Sequence, residues 1–283
     1  MKSFATLLFF MIIAIVGVYF FTHQLDEATE QSVKTTQQKT LPLPEPTPPS
    51  IKHPVPEPVV ELGTSDAMTQ EKPEGEPVIE EVEEPLPTLE SSDEAIKKII
   101  VDIFKNDSLI ALFKQTGLIH RFVVTVDTLP QKKLANKFRL LQPASGKFRI
   151  IKHTKENMTI DPKNTDRYQA YMQLIQLIDA DQFVKLYTYY YPLLQEAYDA
   201  LGYKERYFND RFIEVIDHLL ATPDIEDPIA VVQPKVFYEY ADPTLEGLSA
   251  GQKILLRIGA INRSIVRDKL ITIRSALASP QNE

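Results

Sequence analysis

Proline is concentrated in one part of this 283-residue chain: 12 of its 21 prolines lie between Pro42 and Pro87. Proline has a fixed φ and no backbone N–H, so this stretch favours an extended polyproline II backbone over helices or sheets. The stretch is also acidic, with 17 acidic and 4 basic residues from Gln24 to Glu94, a net charge of −13. Like-charge repulsion extends such a chain further. We therefore predict that residues 23–91 form a disordered Pro/Glu-rich linker.

An uncharged apolar run, Phe4 to Phe21, precedes the linker. Its 18 residues are just enough for a helix to cross a hydrocarbon core about 30 Å thick. The alternative is a cleaved signal peptide, which usually has a shorter apolar run and small residues before the cleavage site. We predict an uncleaved transmembrane signal-anchor at residues 1–22. Lys2 precedes the run and acidic residues follow it, so the positive-inside rule places the rest of the chain outside the cytoplasm.

The rest of the chain has the composition of a folded domain. From Ala95 onward there are 22 acidic and 26 basic residues, a net charge of +4. The absence of cysteine excludes disulfides, thiolate metal sites and a cysteine nucleophile. The modest positive charge and the expected external location argue against a nucleic-acid partner. We predict an α-helical globular domain at residues 92–279.

Hydrophobic spacing in this domain predicts a mainly α fold, a multi-helix single domain of about eight helices with one small β-hairpin. The hairpin is predicted from Lys147–Lys152 and Asn157–Ile160, whereas Ile229–Val232 is either a small strand or an extended loop. Short helices are predicted at Ser108–Lys114 and Leu118–Thr128, and Pro192 should kink or restart a longer one. Helix starts are predicted where a side chain can accept a hydrogen bond from a first-turn N–H: capping boxes at Ser91–Glu94 and Ser249–Gln252, and caps at Asp161, Asp179, Asp242 and Asn262.

The stretch with the most possible chemistry is Tyr207–Pro223, YFNDRFIEVIDHLLATP. Helical spacing places its acidic residues and His218 on one side, opposite Phe212, Ile216 and Leu219. The candidate binding residues are Asn209, Asp210, Arg211, Glu214, His218 and, elsewhere in the chain, Asp127. The structural interpretation is that Asn209 or Asp210 caps a helix and Arg211 bridges buried carbonyls or a carboxylate such as Asp127. A ligand-binding role and catalysis are the alternatives.

Metal binding is the weakest interpretation of this helix. Di-iron bundles use Glu-x-x-His and zinc proteases use His-Glu-x-x-His, but the chain has Glu214 four residues before His218. Asp217 and His218 are neighbours in sequence and diverge by about 100° on a helix, so neither orients the other as in a catalytic dyad. No phosphate-binding loop or nucleophile elbow is present. We predict no metal, no cofactor and no catalytic residue.

Two further sequence patterns, a set of basic residues and a run of tyrosines, each allow two interpretations. Lys253, Arg257, Arg263, Arg267 and Arg274 form either a solvated surface or a basic face that docks an anionic envelope polymer or the acidic linker. The run Tyr189–Tyr191 is typical of core and rim packing; the alternative is a sugar-binding platform.

Four strings, His120–Pro130, Tyr207–Pro223, Pro234–Gly259 and Asn262–Arg274, resemble a bacterial family of membrane-anchored envelope proteins of unknown function. The resemblance covers most of residues 91–278. It implies a single-pass anchor and a Pro-rich tether, and it supplies no catalytic residue. The layout alone is similar to that of energy-transducing envelope proteins such as TonB.

The leading hypothesis is a bacterial inner-membrane protein, spanning once, with its C-terminal domain in the periplasm. The tethered domain would bind a protein partner or the cell-wall polymer without catalysis. One alternative is an envelope hydrolase or metal-dependent enzyme that uses Asp210, Arg211, Glu214 and His218. Another is a chaperone-like envelope assembly factor.

Overall fold

The computed structural model describes residues 51–56, 86–154 and 157–278. The expected anchor at residues 1–22 and most of the expected linker lie outside these ranges. Among the described residues, no helix is both long enough and apolar enough to cross a membrane.

The described residues are mainly helical, as predicted, with a small antiparallel sheet. The helices are α1 (Ser92–Phe104), α2 (Asp107–Ile110), α3 (Leu118–Thr128), α4 (Gln169–Leu177), α5 (Ala180–Asp199), α6 (Phe208–Leu220), α7 (Pro243–Glu246), α8 (Ala250–Arg257) and α9 (Ala260–Ala278). The strands are β1 (Ile150–Lys152), β2 (Met158–Ile160), β3 (Ala230–Val232) and β4 (Glu239–Tyr240). Two 3-10 segments, Asn136–Phe138 and Pro162–Tyr168, complete the regular structure of these ranges.

The helices bury one large core. The two longest helices, α5 and α9, pack against each other, α5 also packs against α3, and α9 against α6. Tyr168, Tyr187 and Tyr198 are fully buried in this core, and a buried hydroxyl needs a hydrogen-bond partner. The Tyr171 hydroxyl, for example, donates to the Gln142 carbonyl at 3.0 Å, and burial raises the pKa of Tyr171 to about 12. Tyr171 therefore contributes a neutral hydrogen-bond donor to the core.

The sheet is larger than the predicted hairpin. β1 and β2 form that hairpin, with Ile151 opposite Thr159. The strand alternative for Ile229–Val232 is confirmed, because β3 pairs with β2 and β4 pairs with β3, giving the order β1-β2-β3-β4. A second, smaller hydrophobic cluster that includes Met158, Val231 and Tyr240 lies against this sheet. The prediction of a lone hairpin was wrong because β4 has only two residues, too few for a periodic signal.

Four of the predicted caps are confirmed. Asp161, Asp179 and Asp242 each accept a hydrogen bond from a first-turn N–H, and Ser249 forms the full capping box with Gln252. Two predictions are wrong. Ser91 has helical φ and ψ and makes no side-chain cap hydrogen bond. Asn262 lies inside α9, where Asp227 instead accepts from the Ala260 N–H at 2.8 Å.

Two helices differ from expectation, the second helix and α5, whereas α3 begins and ends where the sequence predicted. The second helix is shorter than predicted, ends at Ile110 and is capped by Asn106. Gly117 precedes α3 with a φ of +63°, in the left-handed region that glycine adopts without strain. Pro192 lies inside α5, which continues through it to Asp199 without a restart.

The predicted basic face is not a continuous surface. Lys253, Arg257 and Arg263 are buried, so a solvated basic surface is the wrong interpretation for these three residues. Lys253 pairs with Glu246, and Arg263 pairs with Asp224 at 2.9 Å. The Arg257 guanidinium lies 5.7 Å from the centre of the Tyr240 ring. Arg267 is exposed and lines, with Arg263, a cavity of about 460 Å³ between α6 and α9.

The tyrosine run agrees with the packing interpretation. Tyr190 is buried, while Tyr189 is 39 % exposed and in edge-to-face contact with it at 4.8 Å between ring centres. Tyr191 is partly buried against the core.

Candidate functional site

The apolar side of α6 fixes the helix on an aromatic cluster. Phe208 and Phe212 are fully buried, and their rings lie parallel with centres 6.0 Å apart. The Phe212 ring stacks on Tyr187 of α5 at 5.3 Å and meets Phe122 of α3 edge to face at 5.9 Å. Because aromatic rings bury large areas and pack in defined geometries, this cluster determines where the polar side of α6 points.

The start of α6 is held by a residue from α5. Tyr207, at the cap position, makes no side-chain cap hydrogen bond. Gln195 accepts from the Phe208 N–H at 2.8 Å and donates to the Arg206 carbonyl at 2.8 Å. The prediction that Asn209 or Asp210 caps a helix is therefore wrong, and both side chains are available for other contacts.

Asn209 is completely buried and hydrogen-bonded on both sides of its amide. Its Oδ1 accepts from the Tyr187 hydroxyl at 2.9 Å. Burial raises the pKa of Tyr187 well above its ordinary value, so that hydroxyl remains a donor. The Asn209 Nδ2 donates to the His53 carbonyl at 2.9 Å and to the Pro54 carbonyl at 3.4 Å. Asn209 thus joins the domain core to the backbone of a distant segment.

Asp210 binds the same segment from the neighbouring position. Its Oδ1 accepts from the His53 N–H at 2.7 Å and its Oδ2 from the Lys52 N–H at 3.2 Å. Val55 packs against the main core, and Pro56 is buried. The segment Ile51–Pro56, which we call the docked segment, therefore lies on the domain. The prediction of a wholly disordered linker over residues 23–91 is wrong for these six residues and for residues 86–91, where Leu86 and Leu89 pack against the core.

Arg211 forms the bridge that the sequence predicted. Its Nε donates to Asp127 Oδ1 at 2.9 Å and its Nη2 to the Asp127 carbonyl at 2.9 Å. A third nitrogen, Nη1, lies 3.1 Å from the exposed Glu214 carboxylate. Burial lowers the pKa of Arg211, but the Asp127 and Glu214 charges outweigh it and the pKa is raised. Asp127 is buried and also accepts from the Tyr203 hydroxyl at 3.4 Å, so the guanidinium stabilises a buried carboxylate.

His218 and Asp217 point to different parts of the molecule, as their spacing predicted. His218 Nε2 lies 2.8 Å from the Ser249 hydroxyl at the start of α8. Asp217 pairs with Arg274 of α9. Burial lowers the pKa of His218, positive Arg211 lowers it further, and Glu214 opposes them. These contacts join α6 to α8 and α9.

An open groove of about 470 Å³ runs beside the polar side of α6. It brings together Asp210, Arg211 and Glu214 of the predicted candidates; Asn209, Asp127 and His218 are not among its lining residues. Charged lining residues contributed by the domain are the carboxylates Glu205, Asp210, Glu214 and Asp217 and the guanidinium groups of Arg206 and Arg211. Lys52 and His53 of the docked segment line the groove as well. Within the described ranges, no cluster of three or more His, Cys, Asp or Glu side chains could hold a metal ion.

The docked segment is the part of the site that sequence reasoning missed. Its side chains carry no helical or strand period, and 156 residues separate His53 from Asn209. One signal was present: Lys52 and His53 interrupt a long acidic stretch immediately before a proline.

A family model described as "Protein of unknown function (DUF3014)" matches residues 118–274, more than half of the chain. The groove residues Glu205 to Asp217 lie inside the match, and the docked segment lies outside it. No curated protein and no solved structure matches the chain.

Proposed function

We propose that this chain, which belongs to the DUF3014 family, is a single-pass envelope protein whose helical domain binds a protein partner without catalysis. The proposed layout is an anchor at residues 1–22, a linker at 23–91 and a domain at 92–279. The domain lies on the periplasmic side of a bacterial inner membrane in this proposal.

One observation carries the proposal: two adjacent side chains of α6, Asn209 and Asp210, hold an extended stretch of polypeptide by its backbone. A surface that hydrogen-bonds a backbone suits another protein segment better than a glycan. The residues that an enzyme would need also have structural partners, since Arg211 pairs with Asp127 and His218 lies against Ser249. Binding of a protein segment therefore explains the contacts of more of these residues than catalysis does.

Photo-crosslinking in native membranes tests this function. A photoreactive amino acid replaces Glu205, which is exposed and lines the groove. We expect one protein adduct. The matched control position is Ile261, which is 80 % exposed and outside the groove, and it should not form that adduct.

Other results would contradict the proposal in distinct ways. An adduct with cell-wall polymer would identify a glycan ligand, and many protein adducts would indicate a chaperone-like assembly factor. No adduct specific to position 205 would refute partner binding in this groove.

The proposed orientation of the chain in the membrane can be tested separately. The single Lys2 before the apolar run and the acidic residues after it support an external domain. A phosphatase that is active only outside the cytoplasm, fused after Glu94, should be active. An inactive fusion would refute the periplasmic location.

A further inference from the structure

Asn209 and Asp210 of α6, at one side of the groove, bind the docked segment by its backbone. Four hydrogen bonds join two side chains of α6 to three consecutive residues of the docked segment, Lys52, His53 and Pro54. All of them use main-chain N–H or C=O groups, which nearly every sequence offers. Backbone hydrogen bonds of this kind give affinity in several modes of peptide recognition, while side-chain pockets give specificity.

Prolines restrict which segments can fit. Pro54 and Pro56 have no N–H, and Asp210 accepts hydrogen bonds from the N–H groups of the two residues immediately before Pro54, Lys52 and His53. The residue between the prolines, Val55, packs on the main core and Pro56 is buried. A proline-rich segment is also extended before it binds and loses little conformational entropy. The fitting pattern is two residues with free N–H groups, then proline, a small aliphatic residue and proline.

Charge adds a second restriction. The domain side of the groove has four carboxylates and two guanidinium groups. Lys52 is one of only four basic residues between Gln24 and Glu94. The docked segment has one lysine and no acidic residue, and it lies beside a groove with more carboxylates than guanidinium groups. Complementary charge of this kind favours one binding register and suppresses wrong partners.

The docked segment is tethered to the α6 surface that it covers. Residues 57–85, 29 in number, connect it to Leu86, which packs on the main core. A tether keeps the local concentration of the segment high, in the millimolar range for short linkers. A segment with weak intrinsic affinity can therefore cover this surface in the same molecule and compete with any external ligand.

We propose that the surface of α6 formed by Asn209 and Asp210, beside the groove, is a recognition site for extended, basic, proline-flanked peptide segments, and that Ile51–Pro56 is its built-in competitor. The partner is a protein with a segment of the same chemistry, which must displace the docked segment to bind. This inference rests on the proposed partner-binding function and adds the chemistry of the partner and the regulation of the site.

The test measures binding of a fluorescent decapeptide, PSIKHPVPEP (residues 49–58), to the full-length chain in detergent by anisotropy. The key variant, Lys52→Pro/His53→Pro, removes both N–H donors from the linker and leaves every residue of the helical domain unchanged. We expect it to bind the peptide about tenfold more tightly than the natural chain, because the internal competitor is lost. A peptide with the same two proline substitutions should not bind.

A groove variant makes the test specific. Asp210→Asn, added to the linker variant, removes one acceptor and the charge, and should weaken peptide binding by roughly tenfold or more. Asp268→Asn is the matched control: it makes the same charge change at an exposed carboxylate of α9 outside the groove, and it should change affinity less than about threefold. Equal affinities of the natural chain and the linker variant, or no binding to the linker variant, would overturn the inference.

Two further results separate this inference from the proposed function. Light scattering should show monomers; a dimer that is lost in the linker variant would mean that the segment docks on a second copy, which overturns the built-in competitor. A crosslinked partner at position 205 whose yield is the same in the linker variant would leave partner binding intact and refute the competition. Peptide binding without any crosslinked partner would refute the proposed partner-binding function, but it would still support the peptide-recognition site.

Discussion

At the scale of single residues, α6 uses consecutive side chains for different tasks. Asn209 and Asp210 hold the docked segment, whereas Arg211, one position further, turns to Asp127 in α3. The Arg211–Asp127 contact was predictable because a buried carboxylate needs a charged or hydrogen-bonding partner, and a guanidinium group can supply both. The contacts of Asn209 and Asp210 were not, because their partners lie in a segment that carries no periodic signal.

The first prediction concerns the Arg211–Asp127 pair. Arg211→Ala leaves the Asp127 carboxylate buried with only a 3.4 Å contact to the Tyr203 hydroxyl. Removing one partner of a buried pair costs about 3 kcal/mol or more, so urea unfolding should show a loss of that size. Glu214→Gln is the control, because its exposed pair with Arg211 is worth less than about 1 kcal/mol. A stability of Arg211→Ala near that of the natural chain would show that Asp127 is not dependent on the guanidinium.

The second prediction is a pH dependence caused by His218. Since burial and Arg211 lower its pKa in the folded state, the unfolded chain binds this proton more readily. The contribution of His218 to the free energy of unfolding is therefore complete above the ordinary histidine pKa of about 6.5, and it decreases as the pH falls below that value. His120, whose pKa is lowered by burial and by Arg121, contributes with the same sign.

Urea unfolding at pH 7.5 and pH 5.5 measures this effect. The free energy of unfolding should decrease at the lower pH, His218→Gln should reduce the decrease, and His120→Gln/His218→Gln should reduce it further. A decrease that is unchanged in both variants would assign the pH dependence to other groups.

At the scale of secondary-structure elements, the helix caps show which contacts can be predicted from the sequence and which cannot. The confirmed caps, Asp161, Asp179, Asp242 and Ser249, act on N–H groups two or three residues away. Such hydrogen bonds depend on local residues alone. The start of α3 is different: Asp93 of α1 accepts from the Gly117 and Leu118 N–H groups at 2.7 and 2.8 Å. A cap supplied by another helix depends on packing, which no local pattern contains.

The third prediction tests this cap between helices. Asp93→Ala removes the acceptor of two N–H groups and the negative charge beside the positive end of α3. The expected loss of stability is about 1 kcal/mol in thermal or urea unfolding. Glu94→Ala is the matched control, because Glu94 is an exposed neighbour that pairs only with Lys97 and should cost less than about 0.5 kcal/mol. Equal losses in the two variants would refute the cap.

The edge strand of the sheet shows the same limit of prediction from local sequence. The β1–β2 hairpin was predictable from two neighbouring apolar runs, but β4 has two residues and pairs only because β3 lies beside it. Register in such short strands is set by neighbouring packing, here the cluster that contains Tyr240. Long amphipathic helices were therefore predicted more completely than short strands.

At the scale of the whole molecule, docking divides the linker into two parts. If residues 1–22 are the anchor, 28 residues (23–50) separate it from the docked segment, whereas 63 residues (23–85) separate it from Leu86. At the polyproline II rise, these lengths give upper limits of about 90 Å and 200 Å. Release of the docked segment would therefore roughly double the distance that the domain can reach from the membrane, which links partner binding to reach.

The last prediction measures this docking directly. The chain has no cysteine, so spin labels can be placed uniquely at Ile51→Cys, which is 51 % exposed, and at Glu205→Cys beside the groove. Electron–electron double resonance on the full-length chain should give one short, narrow distance, because four hydrogen bonds hold the segment. The same labels in the Lys52→Pro/His53→Pro background should give a long, broad distribution, and excess PSIKHPVPEP should move the natural chain towards it. A broad distribution in the natural chain would refute docking, and with it the difference in reach.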